Sequence, residues 1–309
     1  MISQLDRFCF DSPKGVLARS GYGAQISRFM GYSPGIELHD RMQFREWDFS
    51  RNADALAFLD ALAAPAEATA GTEWANTQLT ASTITLQDGG FPSFIRWATG
   101  AGDGNGQSAQ NVIGTGAATR LPFDFSVMRN FIISGTFRIS DANNNANTVE
   151  QCRFFFGIAP VDTSIFTAVA NFAGFAKDDG SGILKVVADQ ASVAPHTSAS
   201  SSLNLANLSS AGANARSLIN KWFTLTLVGV GLVRTGTQKG VIYAFLDQAS
   251  QPAGSSDFTP THVGTLDLGT LQDVPAANGA LTLAFTAGEA VAKNLDFAKI
   301  MYGIDYVLG

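Results

Sequence analysis

From about residue 76 to the end, apolar and polar positions alternate in short runs broken by turn residues, which is the period-2 pattern of β-strands. The clearest runs are residues 221–230 (KWFTLTLVGV) and 240–247 (GVIYAFLD). Both are rich in β-branched and aromatic residues, and the turn-like stretch 231–239 joins them, so they are predicted to be consecutive antiparallel strands. Residues 130–139 and 152–159 read the same way. Further candidates are 80–87, 92–97, 117–123, 172–176, 182–188, 262–267, 280–286 and 294–304. Gly-, Asn- and Asp-rich clusters at 100–106, 141–147 and 178–182 punctuate them as turns. The Ser/Ala/Asn-rich stretch 189–216 reads as a long surface loop. About a dozen short strands with this punctuation predict an all-β sandwich or jelly roll.

The chain ahead of residue 76 is different. Residues 1–50 hold no sustained period of 2 or 3.6, yet carry Phe8, Phe10, Ile26, Phe29, Phe44, Trp47 and Phe49. That apolar content is too high for a solvated tail, so the segment is read as an extended arm lying against its own domain or a neighbouring subunit. Residues 51–64 predict a short helix capped by Ser50 and stopped by Pro65, with Leu56, Leu59 and Ala63 on one face. Residues 65–75 read as a linker. The division is therefore an arm (1–50), a helix and linker (51–75) and a β-sandwich (76–309).

Composition sharpens this picture. Charged residues make up 15% of the 309, against roughly a quarter in ordinary globular domains. Little of the surface rests on ionised side chains, which suits a protein that hides surface in an assembly. Phe supplies 23 of the aromatic residues and is core filler without a polar handle. The net charge of −6 argues against nucleic acid as a partner. Within residues 1–51, however, Arg7, Lys14, Arg19, Arg28, Arg41, Arg45 and Arg51 nearly balance six acids. Two cysteines, Cys9 and Cys152, lie in apolar surroundings far apart in sequence and read as buried thiols of a reducing compartment. The chain opens on no signal peptide and holds no apolar run long enough to span a membrane, so synthesis and folding in a cytoplasm, with no membrane partner, are expected.

Candidate chemistry is sparse. A glycosidase on such a sandwich needs two carboxylates projecting from one strand. Glu37, Glu46, Glu67, Glu73, Glu150 and Glu289 offer no such spacing. The three histidines, His39, His196 and His262, are isolated. Asp141-x-Asn143-x-Asn145 opens like a calcium loop but has Ala146 and Cys152 where that loop needs Gly and Glu, so it reads as a hairpin loop. Asp178-Asp179-Gly180 reads as a β-turn. The glycines at 100, 102, 104 and 106 lack the Lys-Ser/Thr and helix of a phosphate loop. No catalytic residue, cofactor or metal is expected. Trp222 and Phe245 are assigned to the core, whereas Trp74 and Trp97 stay open between core and surface.

Three stretches resemble concanavalin A-like (laminin G-like) jelly rolls. They are residues 154–160 (FFFGIAP) followed by 174–180 (GFAKDDG), the strand pair from Trp222 to Asp247, and the closing strand at 294–304. The first is similar to a run in phage head and tail structural proteins of this fold. The resemblance implies an all-β, concanavalin A-like β-sandwich (jelly roll) with an N-terminal extended arm and one short helix. It further implies a non-enzymatic virion structural protein of a tailed bacteriophage, of the capsid decoration or cement type, assembled in the host cytoplasm. Its partners would be the major capsid protein and neighbouring copies of itself, in a closed homo-oligomer for which a trimer is favoured. The interface candidates are Arg7, Phe8, Phe10, Arg19, Tyr22, Arg28, Phe29, Tyr32, Arg41, Phe44 and Trp47. The alternatives are a carbohydrate-binding tail fibre or baseplate component, and a free lectin or glycosidase.

Overall fold

A computed structural model describes residues 43–49, 74–87, 93–112, 121–125, 127–141, 151–162, 165–167, 170–189, 201–207, 222–231, 240–248, 261–268, 275 and 278–306. These residues form fifteen strands and no helix. In chain order they are β1 (Gln43–Asp48), β2 (Trp74–Gln78), β3 (Ser82–Gln87), β4 (Phe94–Thr99), β5 (Gly106–Asn111), β6 (Met128–Asp141), β7 (Cys152–Ala159), β8 (Phe172–Lys177), β9 (Ile183–Asp189), β10 (Ser201–Asn207), β11 (Phe223–Val230), β12 (Val241–Gln248), β13 (Thr261–Asp267), β14 (Ala280–Ala287) and β15 (Lys293–Tyr306).

They divide into two sheets. The eight-stranded sheet runs β13-β12-β11-β6-β15-β4-β3, with β1 also paired to β15. The seven-stranded sheet runs β10-β9-β8-β7-β14-β5-β2. Every pairing in both sheets is antiparallel. The protein is thus an all-β sandwich of jelly-roll type. Strand alternation puts Phe131, Ile133, Phe137 and Ile139 of β6 inward, where they meet Phe154, Phe156 and Ile158 of β7. The Phe137 ring lies 4.9 Å from Phe156 and 5.4 Å from Phe154, so the core is a Phe-rich layer between the sheets. The expected hairpin 221–247 is the β11–β12 pair, in register from Phe223↔Gln248 to Val230↔Val241. Gly231 and Gly240 at its turn both have positive φ, which glycine tolerates without strain.

Several boundaries differ from the sequence reading. Residues 43–49 of the expected arm are not an appendage. Strand β1 pairs with β15 from Gln43↔Ile304 to Asp48↔Lys299, and Phe49 N–H donates to Ala298 O. Trp74 and Ala75, placed in a linker, begin β2 at the edge of the seven-stranded sheet. The stretch 189–216, read as a loop, contains β10, which pairs with β9. Strand β5 was missed because its sequence, GQSAQN, shows no apolar period. Of the candidate strand 117–123, Phe123 forms a lone bridge to Gly279, and 117–120 lie outside the described residues. The expected helix at 51–64 and residues 1–42 also lie outside them.

The run 154–160 and 174–180 that carries the phage resemblance is structural here. Gly157 and Gly174 sit opposite each other in the β7–β8 ladder. A Cβ on Gly157 would lie 2.4 Å from Ala173 O and 2.5 Å from the Gly174 Cα. The pair lets the strands approach with the Phe155 ring laid across them.

Candidate functional site

Nine of the eleven interface candidates lie outside the described residues: Arg7, Phe8, Phe10, Arg19, Tyr22, Arg28, Phe29, Tyr32 and Arg41. Phe44 falls on β1. Trp47 is placed against the sequence expectation of a contact residue, because its indole is buried in the chain's own core at 8% exposure. Its ring meets Trp74 edge-on at 4.8 Å and Tyr302 at 5.8 Å. Trp47 belongs to one sheet and Trp74 to the other, so the pair joins the sheets at one margin. Trp74 and Trp97, left open by the sequence, are both core.

Two of the turn clusters noted in the sequence, at 100–106 and 178–182, meet the turn between β14 and β15 at one end of the sandwich. The glycine turn at 100–105 crosses from β4 to β5, the 178–182 turn links β8 to β9, and the 288–292 turn links β14 to β15. Gly104 N–H donates to Ala287 O and Gly288 N–H to Gln151 O, while Arg153 bridges Asp103 of the first loop and Asp179 of the second. Asp178-Asp179-Gly180 is the expected turn: Asp179 N–H donates to Asp178 Oδ1 at 2.8 Å, and Gly180 has φ 68°. Asp141 closes β6, and the rest of the calcium-like stretch lies outside the described residues.

Beneath this end sits a buried cationic cluster. Lys177 Nζ donates to Cys152 O at 2.7 Å and Asp178 O at 3.0 Å, and the side chain is wholly buried. The buried Lys293 ammonium pairs with Glu289. Arg153 reaches Asp103 at 3.5 Å and Asp179 at 3.6 Å. Burial pushes the Cys152 thiol up, although Lys177 and Lys293 pull the other way. A neutral, enclosed thiol is no nucleophile. Among the described residues, no three His, Cys, Asp or Glu side chains converge as metal ligands. Of the six glutamates, the described ones are Glu46 and Glu289, paired with Lys299 and Lys293. His262 lies on edge strand β13, and Cys9, His39 and His196 fall outside the described residues.

A second cluster, which the sequence reading did not single out, lies on the outer face of the eight-stranded sheet. Arg96, Asp296 and Arg138 alternate with core residues on β4, β15 and β6, and register sets them side by side. Asp296 is fully buried. Arg96 Nε donates to its Oδ1 at 2.7 Å and Nη2 to Oδ2 at 2.9 Å. Arg138 Nε and Nη2 donate to Oδ2 at 2.9 and 2.6 Å. The hydrogen bond to Asp296 raises the Arg96 pKa, against the opposing effect of burial. The Arg138 guanidinium sits 5.0 Å from the Phe94 ring and 4.9 Å from Trp222. Trp222 is therefore buried, as expected, but on the outside of the sheet rather than in the core between the sheets. Phe245 is buried likewise, alternating with the core-facing Ala244 and Leu246.

Fold and site together define a class: a two-sheet antiparallel jelly roll with a guanidinium–aromatic cluster on one outer face and a lysine-bolted loop end. No protein-family model matches the chain, and no curated protein does. Among solved structures, it is similar to peanut lectin with a nonamer peptide, at 9% identity and TM-score 0.48, covering 87% of this chain and 99% of that one. Arcelin-5, a lectin-like defence protein from Phaseolus vulgaris, matches at 9% identity and TM-score 0.45, covering 86% and 99%. Lectin I from Ulex europaeus, in complex with the methyl glycoside of α-L-fucose, matches at 12% and 0.44, covering 86% and 98%. At such identities these likenesses carry neither a ligand nor a site residue across to this chain.

Proposed function

We propose that the protein is a non-enzymatic structural component of a tailed-phage virion, of the capsid decoration or cement type. In this reading the sandwich covers the particle surface. Residues 1–42 clasp the major capsid protein or a neighbouring copy, within a closed oligomer such as a trimer. One observation carries the proposal. Strand β1 is built into the sheet over six consecutive pairs beside β15, and Trp47 and Phe49 are sunk in the core directly after residue 42. A segment tethered at such a point transmits load to the whole sandwich. The low charge content and the Arg and aromatic side chains of residues 1–42 suit an interface that buries apolar area with Arg anchors.

The test is a truncation lacking residues 2–42 compared with the full chain, on particles stripped of this protein and re-exposed to it. The truncated sandwich is expected to keep its far-ultraviolet circular dichroism and to lose particle binding. Protease should cut residues 1–42 in the isolated protein and spare them on the particle. Equal binding by both chains, or equal protection of residues 1–42 with and without particles, overturns the proposal.

A second reading is a carbohydrate-binding component of a tail fibre or baseplate. The aromatic–guanidinium cluster around Arg138 favours it, because aromatic and polar groups side by side are what a sugar ring needs.

A further inference from the structure

The Arg96–Asp296–Arg138 cluster holds more charge than its own carboxylate requires. One bidentate arginine satisfies a buried aspartate, and Arg96 already supplies it through Nε and Nη2. Arg138 adds a second cation to the same Oδ2, leaving a local excess of one positive charge in a chain of net charge −6. Both arginines keep an open side, at 28% and 24% side-chain exposure. The Nη1 group of each takes no part in the bonds to Asp296. Their orientation is locked by Asp296 beneath and by rings alongside, since Phe94 lies 5.7 Å from Arg96 and 5.0 Å from Arg138. Pre-set donors bind an anion without the ordering cost of free side chains.

Exposed polar groups continue the row. Thr85, on edge strand β3, is in register with Arg96, and Gln87 Nε2 donates to its Oγ1 at 2.9 Å. On the other side, Thr136 and Thr224 form a half-buried hydroxyl pair at 2.9 Å. A half-exposed phenyl ring, two guanidinium edges and flanking hydroxyls match one ligand chemistry. This is a pyranose ring bearing a carboxylate: its C–H face lies on Phe94, its carboxylate takes the Nη1 donors, and its hydroxyls meet Thr85 and Gln87. An acidic peptide would satisfy the guanidinium groups alone and leave the ring and hydroxyls without a role.

We infer that the outer face of the eight-stranded sheet binds a uronate-type acidic saccharide at Arg96, Arg138 and Phe94. This deepens the carbohydrate-binding reading and is independent of the clasp. The experiment is isothermal titration of the full chain with tetragalacturonate, its methyl ester, a neutral galactan oligomer and oligoglutamate. Saturable binding of the uronate alone is expected, falling as sodium chloride rises. Arg138→Gln, which leaves Asp296 in its bidentate pair with Arg96, is expected to weaken it at least about tenfold while the variant keeps the far-ultraviolet circular dichroism of the folded sandwich. If that variant fails to fold, the contrast between uronate and ester in the wild type decides. Equal affinity for acid and ester, or no uronate binding, overturns the inference. Binding of the neutral oligomer alone refutes it while leaving a carbohydrate function standing. Oligoglutamate bound as tightly as uronate reassigns the cluster to an acidic protein and refutes it too.

Discussion

Trp47→Ala is the sharpest perturbation of the sandwich, because it asks whether residues 43–49 belong to the fold or to an arm. The indole is 8% exposed, and its nearest partners come from both sheets: Trp74 at 4.8 Å with planes at 70°, and Tyr302 at 5.8 Å. Truncating a buried tryptophan removes its transfer free energy and leaves a cavity, costing about 3–5 kcal/mol. The edge-on ring pair adds about 0.5–1.5 kcal/mol. Because the site lies at a sheet margin, where neighbours can partly close in, a loss near 4 kcal/mol is expected. With a urea m-value of about 3 kcal/mol/M, the unfolding midpoint should fall by roughly 1.3 M. The assay is urea unfolding followed by circular dichroism at 218 nm, which does not depend on the deleted fluorophore. A loss below about 1 kcal/mol, the range of surface substitutions, would mean that β1 contributes nothing to the sandwich and that the arm extends to residue 50 after all.

Gly157→Ala should lower the melting temperature through a cost of about 1–3 kcal/mol or more, because its new Cβ would lie 2.4 Å from Ala173 O in mid-sheet; an unchanged melting temperature refutes the close approach. Asp296→Asn should cost about 3 kcal/mol in urea unfolding, near the low end for uncovering a buried charge, because both guanidinium groups remain about a quarter in water. A neutral effect would mean that the pair of arginines is indifferent to its carboxylate. The raised Cys152 pKa has a definite sign: the folded state holds the thiol proton more tightly than the unfolded state does. Its contribution is whole below the ordinary thiol value of about 8.5 and is lost as pH rises through the folded value. Stability should therefore fall with alkaline pH, and Cys152→Ala should flatten that fall. Identical slopes in both proteins would place the titration elsewhere.

How much of this was legible in the sequence depended on where each strand lies. The strands at the centre of the sheets announced themselves: β6, β7, β11, β12, β14 and β15 alternate branched and aromatic residues, and their predicted positions match within a few residues. The missed strands are polar. β1 (QFREWD), β2 (WANTQ) and β5 (GQSAQN) show no apolar period, β10 (SSLNLAN) carries a single Leu-x-Leu step within a Ser/Asn-rich stretch, and β2 and β10 form the two edges of the seven-stranded sheet. Reading polar residues as solvated fails for β5, where Gln110 is buried. Its side chain bonds Thr282 Oγ1, Pro160 O and the Asp162 N–H. A satisfied buried amide looks the same in sequence as an exposed one.

The outer-face cluster was hidden for a different reason. Its members stand 158 and 200 positions from Asp296, so only register brings them together. Yet each carried a local sign. Ile95-Arg96-Trp97, Phe137-Arg138-Ile139 and Leu295-Asp296-Phe297 each set one charge between two large apolar residues. On a strand, that triplet means two core side chains and one charge thrown onto the opposite face. Three such triplets of mixed sign, on strands predicted to share a sandwich, invite pairing, because an unpaired charge on a half-buried sheet face is costly. The Trp222 strand that first suggested the fold then supplies the last member. Its leading residue does not enter the core but closes the aromatic wall on Arg138, so the feature that identifies the scaffold also shapes the surface on which recognition is proposed.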